Sequence, residues 1–241
     1  NMQNRYAGDV GDFGKIGLLR QIKRSELDIG VNWYLAPDED HNSDGKHIGY
    51  IVDPRYNNCD DSLRDSLKEI VNSKRSVAAL ENMNLIPDAV YYHEVLCSPS
   101  RTFSRRDWHI KALEVLRCAD IVFLDPDNGL LVKSVSVGSS KSNKYVVQSE
   151  ITDYFASGKS VIFYNHRCRE QESVYIQRFN WMHEDFILRN AVITGLTFKR
   201  GTVRDYIFVL QPEHASKIIK SLDNMLQSPW RNHFAKLDLS L

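Results

Sequence analysis

Short, continuous runs of apolar residues recur along this sequence and alternate with segments that have helical spacing. The clearest runs are residues 121–124 and 160–164, which are apolar at nearly every position. A strand that is buried on both faces has this pattern. Between such runs, Leu63, Leu67 and Ile70 recur on one face of a predicted helix. The alternation therefore predicts an α/β protein in which helices cover a mostly parallel sheet.

The last third of the chain departs from this alternation. Residues 191–198 and 206–210 are two strand-like runs, and the short connection between them, 199–202, suits a hairpin. We therefore expect a three-layer, Rossmann-like fold whose twisted, mostly parallel sheet carries an antiparallel hairpin as its edge toward the C-terminus. Residues 48–52 form a further short apolar run, and residues 145–155 are expected to be helical. Ser104 and Asp107 have the spacing of a capping box at the start of another helix. Because 241 residues fit one large domain, we predict a single α/β domain over residues 1–241.

The charge balance limits the classes of partner. The sequence has 31 basic and 31 acidic residues, which argues against binding to nucleic acid or to an anionic membrane through overall positive charge. Binding through a local basic patch remains an alternative. No run reaches the roughly 18 to 20 apolar residues that span a bilayer, and residues 1–12 lack the apolar core of a signal peptide. We expect a cytoplasmic protein with no membrane partner.

Polar residues follow three of the apolar runs abruptly. Ligands of open α/β sheets bind beyond the carboxyl ends of the strands, so these positions are candidate functional residues. Asp125, Asp127 and Asn128 follow the run 121–124, His166 follows the run 160–164, and Asp38 follows an earlier run. Two carboxylates and an amide after one strand exceed what a turn requires. We therefore predict Asp125, Asp127, Asn128 and His166 as catalytic residues, with ordinary strand-end turns as the alternative.

A glycine-rich segment from Tyr6 to Lys15 leads directly into a predicted helix. Backbone amides at the start of a helix, beside a lysine, can bind an anion. The segment is not a P-loop, because neither Ser nor Thr follows Lys15, and it is not a dinucleotide fingerprint, because no strand precedes it. A tight turn capped by Asp12 is an equally good interpretation.

The order of these parts resembles class I S-adenosylmethionine-dependent methyltransferases. It is most similar to the bacterial enzymes that methylate the exocyclic amino group of adenine in large-subunit ribosomal RNA. Those enzymes place Ala-Gly, Asp and Lys before an apolar helix, here Ala7, Gly8, Asp12 and Lys15. They also place an Asp/Asn-Pro-Pro-Tyr motif after the fourth strand, here residues 125–128. The resemblance is architectural over most of the chain and motif-level at these two places.

The resemblance implies a function and a set of site residues. Asp125 would accept a hydrogen bond from the amine of a flipped adenine. The residues implied to bind S-adenosylmethionine are Tyr6, Gly8, Asp12, Lys15 and Asp38. The motif departs from the family pattern because Asp127 and Asn128 replace its second proline and its aromatic residue. Tyr164, at the end of a later strand, is a candidate for the missing stacking ring.

Two other interpretations stay open. The altered motif fits a non-catalytic module that kept a methyltransferase-like fold. Alternatively, Asp125, Asp127 and His166 would bind magnesium or manganese in a nuclease or phosphoesterase, with Asp12 as a further candidate ligand. If the partner is a nucleic acid or a nucleotide, the expected basic surface consists of Arg101, Arg105, Arg106, Lys199, Arg200 and Arg204.

Overall fold

A seven-stranded mixed sheet organises the chain. The computed structural model describes residues 4–35, 47–96, 104–137, 139–167, 170–200 and 202–239. Its helices are α1 (Val10–Lys23), α2 (Asp61–Asn72), α3 (Val77–Asn82), α4 (Arg105–Val115), α5 (Gln148–Ala156), α6 (Glu172–Ile176), α7 (Trp181–Glu184) and α8 (Pro212–Gln227). Its strands are β1 (Ile29–Asn32), β2 (Val90–Tyr92), β3 (Ile121–Leu124), β4 (Gly129–Leu130), β5 (Tyr145–Val146), β6 (Ser160–His166), β7 (Val192–Arg200), β8 (Thr202–Leu210) and β9 (Phe234–Leu237). Within these ranges, no helix has the length and apolarity needed to cross a membrane.

The strand order places two carboxyl ends side by side at a crevice. The order is β2-β1-β3-β6-β8-β7-β9, and β1, β2, β3 and β6 pair in parallel. Strand β8 runs antiparallel to β6 and β7, and β9 runs antiparallel to β7. After β1 the chain adds β2 on one side, whereas after β3 it adds β6 on the other side. The order therefore reverses between β1 and β3, where ligands of open α/β sheets bind.

The apolar side chains of the sheet divide between two hydrophobic clusters. In β3, Ile121 and Phe123 belong to a cluster with residues of α1, α2 and α8. Val122 and Leu124 belong to a second cluster with residues of α4 and α5. Successive side chains of a strand point to opposite faces, so apolar residues at all four positions supply both clusters. This explains the continuous apolar runs, and it agrees with the predicted α/β class and the mostly parallel sheet.

Three local predictions differ from the structure. The hairpin of β7 and β8 forms, but it is not the edge of the sheet, because β9 pairs with β7 outside it. The run 48–52 contains a 3-10 turn at Gly49–Ile51 instead of a strand. Residues 145–146, expected to be helical, form β5, which pairs in parallel with β4. The segments 49–51 and 145–146 are short, so their neighbours in space decide their conformation more than their own residues do.

Three glycines let α1 lie close to the antiparallel part of the sheet. Gly11, Gly14 and Gly17 are spaced three apart and are all buried. A Cβ atom on Gly14 would lie 2.7 Å from the ring of Phe198, and a Cβ atom on Gly17 would overlap the indole of Trp230. Glycine is a poor helix former, so these residues are explained by close packing and not by helix propensity.

We expect Gly17→Ala to lower the free energy of unfolding by about 1–3 kcal/mol, because the added methyl group overpacks the contact with Trp230. Urea unfolding measures the change. The control is Gly49→Ala, because no atom lies within 4 Å of a Cβ there; its effect should stay within about 0.5 kcal/mol. A stabilising Gly17→Ala, as in an exposed helix, would contradict the close packing of α1.

Candidate functional site

A buried lysine joins the two sequence motifs where the strand order reverses. Lys15 Nζ donates hydrogen bonds to Asp125 Oδ2 at 2.6 Å and to Asp12 Oδ1 at 3.1 Å. Lys15, Asp12 and Asp125 are 5%, 1% and 6% exposed. The ammonium group also lies 5.5 Å from the centre of the Trp33 ring, just after β1. The structure therefore brings together α1 and the ends of β1 and β3.

The turn before α1 holds the acidic side of this contact. Asp9 is the N-cap and accepts a hydrogen bond from the Asp12 amide at 3.0 Å. Asp12 Oδ2 accepts a hydrogen bond from the Gly8 amide at 2.9 Å, and the Val10 amide donates to the His47 carbonyl. These amides are used within the protein, so the turn does not offer them to an anion. The predicted anion cradle therefore lacks these amides. The alternative, a tight turn bound by Asp12, agrees with the Gly8 hydrogen bond, although the N-cap of α1 is Asp9.

The turn after β3 is fixed from two sides, which orients Asp125. The Asp125 amide donates to the carbonyl of Asn32 at the end of β1. On the other side, Asn165 Oδ1 accepts a hydrogen bond from the Leu130 amide at 2.7 Å. Gly129 has φ +101°, and a Cβ there would overlap the Asn165 side chain. A glycine is therefore required at this position.

The other predicted catalytic residues lie beside this contact and not in it. Asp127 forms an ion pair of 3.6 Å with Lys144. The Asn128 amide donates to the Lys144 carbonyl, and its carbonyl accepts from the His166 amide. His166 is exposed, and partial desolvation together with the Arg204 charge lowers its pKa. The imidazole is therefore mostly neutral at pH 7.

Some of the predicted cofactor residues take part in the Lys15 contact, and others lie outside it. Gly8, Asp12 and Lys15 belong to the hydrogen-bonded contact. Tyr6 packs against the first hydrophobic cluster, and its carbonyl accepts a hydrogen bond from the Asp9 amide. Asp38 lies outside the described residues.

The described ranges contain no set of ligands for the magnesium or manganese site that was considered. Within them, no three His, Cys, Asp or Glu side chains lie close enough together to hold a metal ion. Asp125 instead binds Lys15, and Asp127 pairs with Lys144. The geometry therefore does not support Asp125, Asp127 and His166 as a magnesium or manganese site.

Arg204 of β8 was expected on a basic surface, but it lies partly buried beside this contact. Its guanidinium occupies the space where a side chain at Gly11 would lie, and its Cζ atom is 5.8 Å from the centre of the Tyr164 ring. Its Nε atom is buried without a hydrogen-bond partner, and among the described residues Arg204 makes no hydrogen bond or ion pair. Burial opposes its charge, but Tyr164 and Asp9 raise its pKa, so it is a cation at neutral pH.

Two tyrosines border the same guanidinium. Tyr164 is only 7% exposed. Its ring therefore does not offer the open stacking surface for which it was a candidate. Burial raises its pKa to about 12. The Tyr206 hydroxyl is buried without a hydrogen-bond partner. The alternation of Arg204, Tyr206 and Phe208 along β8 could have placed Arg204 on this face.

Few of the other residues in the predicted basic surface are shown to be exposed and free of partners. Arg105 donates to Glu150 Oε1 at 2.6 Å and to the Tyr145 carbonyl at 2.7 Å, so it joins α4 to the segment around β5. Lys199 is exposed. Arg101 lies outside the described residues, and the Arg200 side chain is not described. The prediction is therefore wrong for Arg105 and Arg204.

We call Asp9, Asp12, Lys15, Asp125 and Arg204 the charged cluster. Three carboxylates and two cations give it a formal charge of −1. Burial raises the pKa of Asp12 to about 6, although Lys15 lowers it. Burial also opposes the charge of Lys15, but Asp125 and Asp12 outweigh burial and raise its pKa. The cluster is therefore an acidic site with a permanently protonated lysine at its centre.

Comparisons with known proteins do not assign this site. No protein-family model matches the chain, and no curated protein matches it. Among solved structures, the chain is similar to protein LPL1258 from Legionella pneumophila str. Philadelphia 1, a crystal structure described with the family model DUF519. The identity is 15% and the TM-score is 0.48, over 96% of this chain and 97% of that chain. A likeness at this level assigns neither a family nor a function.

The raised pKa of Asp12 predicts an unusual pH dependence. Because its pKa is higher in the folded protein than the ordinary 3.8, protonation favours the folded state. The stability from this group is full below about pH 4 and is lost as the pH rises to about 6. Relative to Asp12→Asn, the wild type should therefore lose on the order of a few kcal/mol between pH 4 and pH 7.

Urea unfolding of both proteins at several pH values measures this difference. Asp223→Asn, which removes an exposed carboxylate of α8, is the control and should show no such trend. If the Lys15 ion pair instead lowers the pKa of Asp12, the wild type will gain stability over the variant as the pH rises.

Proposed function

We propose that this protein transfers a methyl group from S-adenosylmethionine to an amino group of a base in a nucleic acid or nucleotide. The observation that carries the proposal is the 2.6 Å contact between Lys15 and Asp125. It joins the two segments on which the resemblance to adenine-amino methyltransferases rests, although 110 positions separate them in the chain. We include in the proposal a three-layer, Rossmann-like fold, which the two hydrophobic clusters favour.

The position of the contact supports a ligand site. It lies where the strand order reverses between β1 and β3. In doubly wound sheets, this point opens a crevice beyond the strand ends. Trp33 after β1 and Asp125 after β3 both face Lys15 there. A cofactor in this crevice would lie against both strand ends.

Asp125 has the chemistry required to receive an amine. Its Oδ2 atom is held by Lys15, and among the described residues no group donates a hydrogen bond to its Oδ1 atom. The free oxygen can accept an N–H from the amino group of a base. This hydrogen bond would orient the nitrogen lone pair and hold the base in place.

The charged cluster fits S-adenosylmethionine. The cofactor carries a sulfonium and an ammonium as well as one carboxylate, so its net charge is opposite to that of the cluster. Asp9 and Asp12 would face the cationic groups, and the unpaired Arg204 would bind the carboxylate. When bound, the cofactor supplies an electrophilic methyl group. The bound cofactor would supply this methyl group to the amine nitrogen that Asp125 holds. The new N–C bond would replace the S–C bond, and the proton lost by the amine would pass to solvent.

Calorimetry with S-adenosylmethionine tests the cofactor assignment. We expect the folded wild type to bind it at concentrations below about 1 mM, in the range common for enzyme ligands. Asp125→Asn should reduce methyl transfer to an unmodified transcript of large-subunit ribosomal RNA by at least about 100-fold, the range of one lost transition-state contact. Asp223→Asn is the matched control and should retain transfer. Folded protein that produces no heat at millimolar cofactor would exclude the proposal.

Arg204→Gln tests how the cofactor is recognised. The probes are S-adenosylmethionine and its decarboxylated form, which differ only in the carboxylate. We expect the wild type to prefer S-adenosylmethionine by about tenfold or more, the size of one charge-assisted hydrogen bond, and Arg204→Gln to lose this preference. Arg189→Gln is the control because Arg189 is exposed and lies just before the start of β7, whereas Arg204 is paired with Phe198 near the other end of that strand. An unchanged preference in Arg204→Gln would remove Arg204 from the cofactor site.

A further inference from the structure

A cavity lies beside the first turn of α1. It encloses about 700 Å³ between Val10, the segment 47–56, Lys199 at the end of β7 and residues 232–233. Sites for small ligands typically have volumes of about 300–1,000 Å³. Val10 lies between Asp9 and Asp12 in the chain, so this cavity adjoins the charged cluster. We call it the α1 cleft.

Aromatic rings form one wall of the α1 cleft. The Tyr56 and His233 rings are stacked, with their centres 4.1 Å apart and their planes 5° apart. Phe13 packs against Tyr50 and Tyr56, and its ring centre lies 5.0 Å from that of Tyr50 and 6.0 Å from that of Tyr56. The Tyr50 hydroxyl donates to the Gly8 carbonyl at 2.9 Å. Tyr56 is the partly exposed member of this group, so a rigid aromatic ring borders the cavity.

Cations form the other wall of the α1 cleft. Lys199 is exposed, and among the described residues it has no side-chain hydrogen bond or ion pair. The Arg55 side chain is 81% exposed and pairs with Asp53 at 2.6 Å. Two cations and one carboxylate give the wall a formal charge of +1 with neutral histidines. The α1 cleft therefore has the opposite sign to the charged cluster.

From this juxtaposition we propose that the α1 cleft binds the substrate as a single-stranded nucleic acid, with a base against Tyr56 and a phosphate at Lys199. Single-strand sites combine a positive groove with aromatic rings on which bases stack. The inference deepens the proposed function and rests on it for the choice of substrate. The acidic charged cluster would repel phosphate, so the backbone lies on the cleft side of α1.

Fluorescence anisotropy with a labelled 12-nucleotide oligoadenylate, without cofactor, tests the inference. We expect binding at low salt, weakened about fivefold or more by Tyr56→Leu through loss of stacking. Lys199→Gln should weaken binding and reduce the salt dependence by about one phosphate contact. Lys199 makes no described side-chain contact that folding would need, so this variant should fold as the wild type does.

Lys217→Gln is the matched control, because Lys217 is an exposed lysine of α8, and it should bind as the wild type does. Absence of binding at low salt, or equal losses in Lys199→Gln and Lys217→Gln, would overturn the inference. The outcome is separable from that of the proposed function. Oligonucleotide binding in a protein that does not bind S-adenosylmethionine would keep the α1 cleft and exclude methyl transfer. Cofactor binding, together with oligonucleotide binding that neither Tyr56→Leu nor Lys199→Gln changes, would keep the proposed function and exclude the α1 cleft as the substrate site.

Discussion

The buried ammonium group of Lys15 is the constraint on which the candidate site depends. A buried cation is tolerated only when opposite charges and hydrogen bonds compensate for the lost water. Asp125 and Asp12 supply that compensation at 2.6 and 3.1 Å. Removal of one partner of such a pair costs about 3–5 kcal/mol. The first turn of α1 and the end of β3 are therefore fixed relative to each other, and the oxygen of Asp125 that Lys15 leaves free has a defined direction.

Local chemistry made much of the fold predictable. The run 121–124 coincides with β3, because a strand buried on both faces consists mainly of apolar residues. Ser104 and Asp107 form the predicted capping box at the start of α4, because both hydrogen bonds lie within four residues. In contrast, β9 was not predicted. It is a four-residue strand whose pairing with β7 depends on residues more than 30 positions away, and such a contact leaves no periodic pattern.

The site was predictable only where the chain marks it with a motif. The two motifs predicted Lys15 and Asp125 as site residues, and the structure brings them into contact. The position of Arg204 was not predicted, because a charged residue near a hairpin turn normally faces water. In the structure, β8 begins at Thr202, so Arg204 lies within the strand and above Tyr164. Its unpaired Nε and the unpaired Tyr206 hydroxyl each cost about 1–3 kcal/mol. Retaining such groups is easier to explain in a ligand site than in a structural core.

The formal net charge of zero conceals a separation of charge across one helical turn. Asp9 and Asp12 belong to the charged cluster, whereas Val10 borders the α1 cleft, where Lys199 and Arg55 lie. A methyl donor is cationic at its sulfonium, and a nucleic acid is anionic along its backbone. A protein that binds both next to each other needs adjacent surfaces of opposite sign, and each surface then disfavours the wrong ligand. Under the proposed function, a uniformly basic surface would weaken the affinity for the cationic donor, so the two sites need separate charges and not a high net charge.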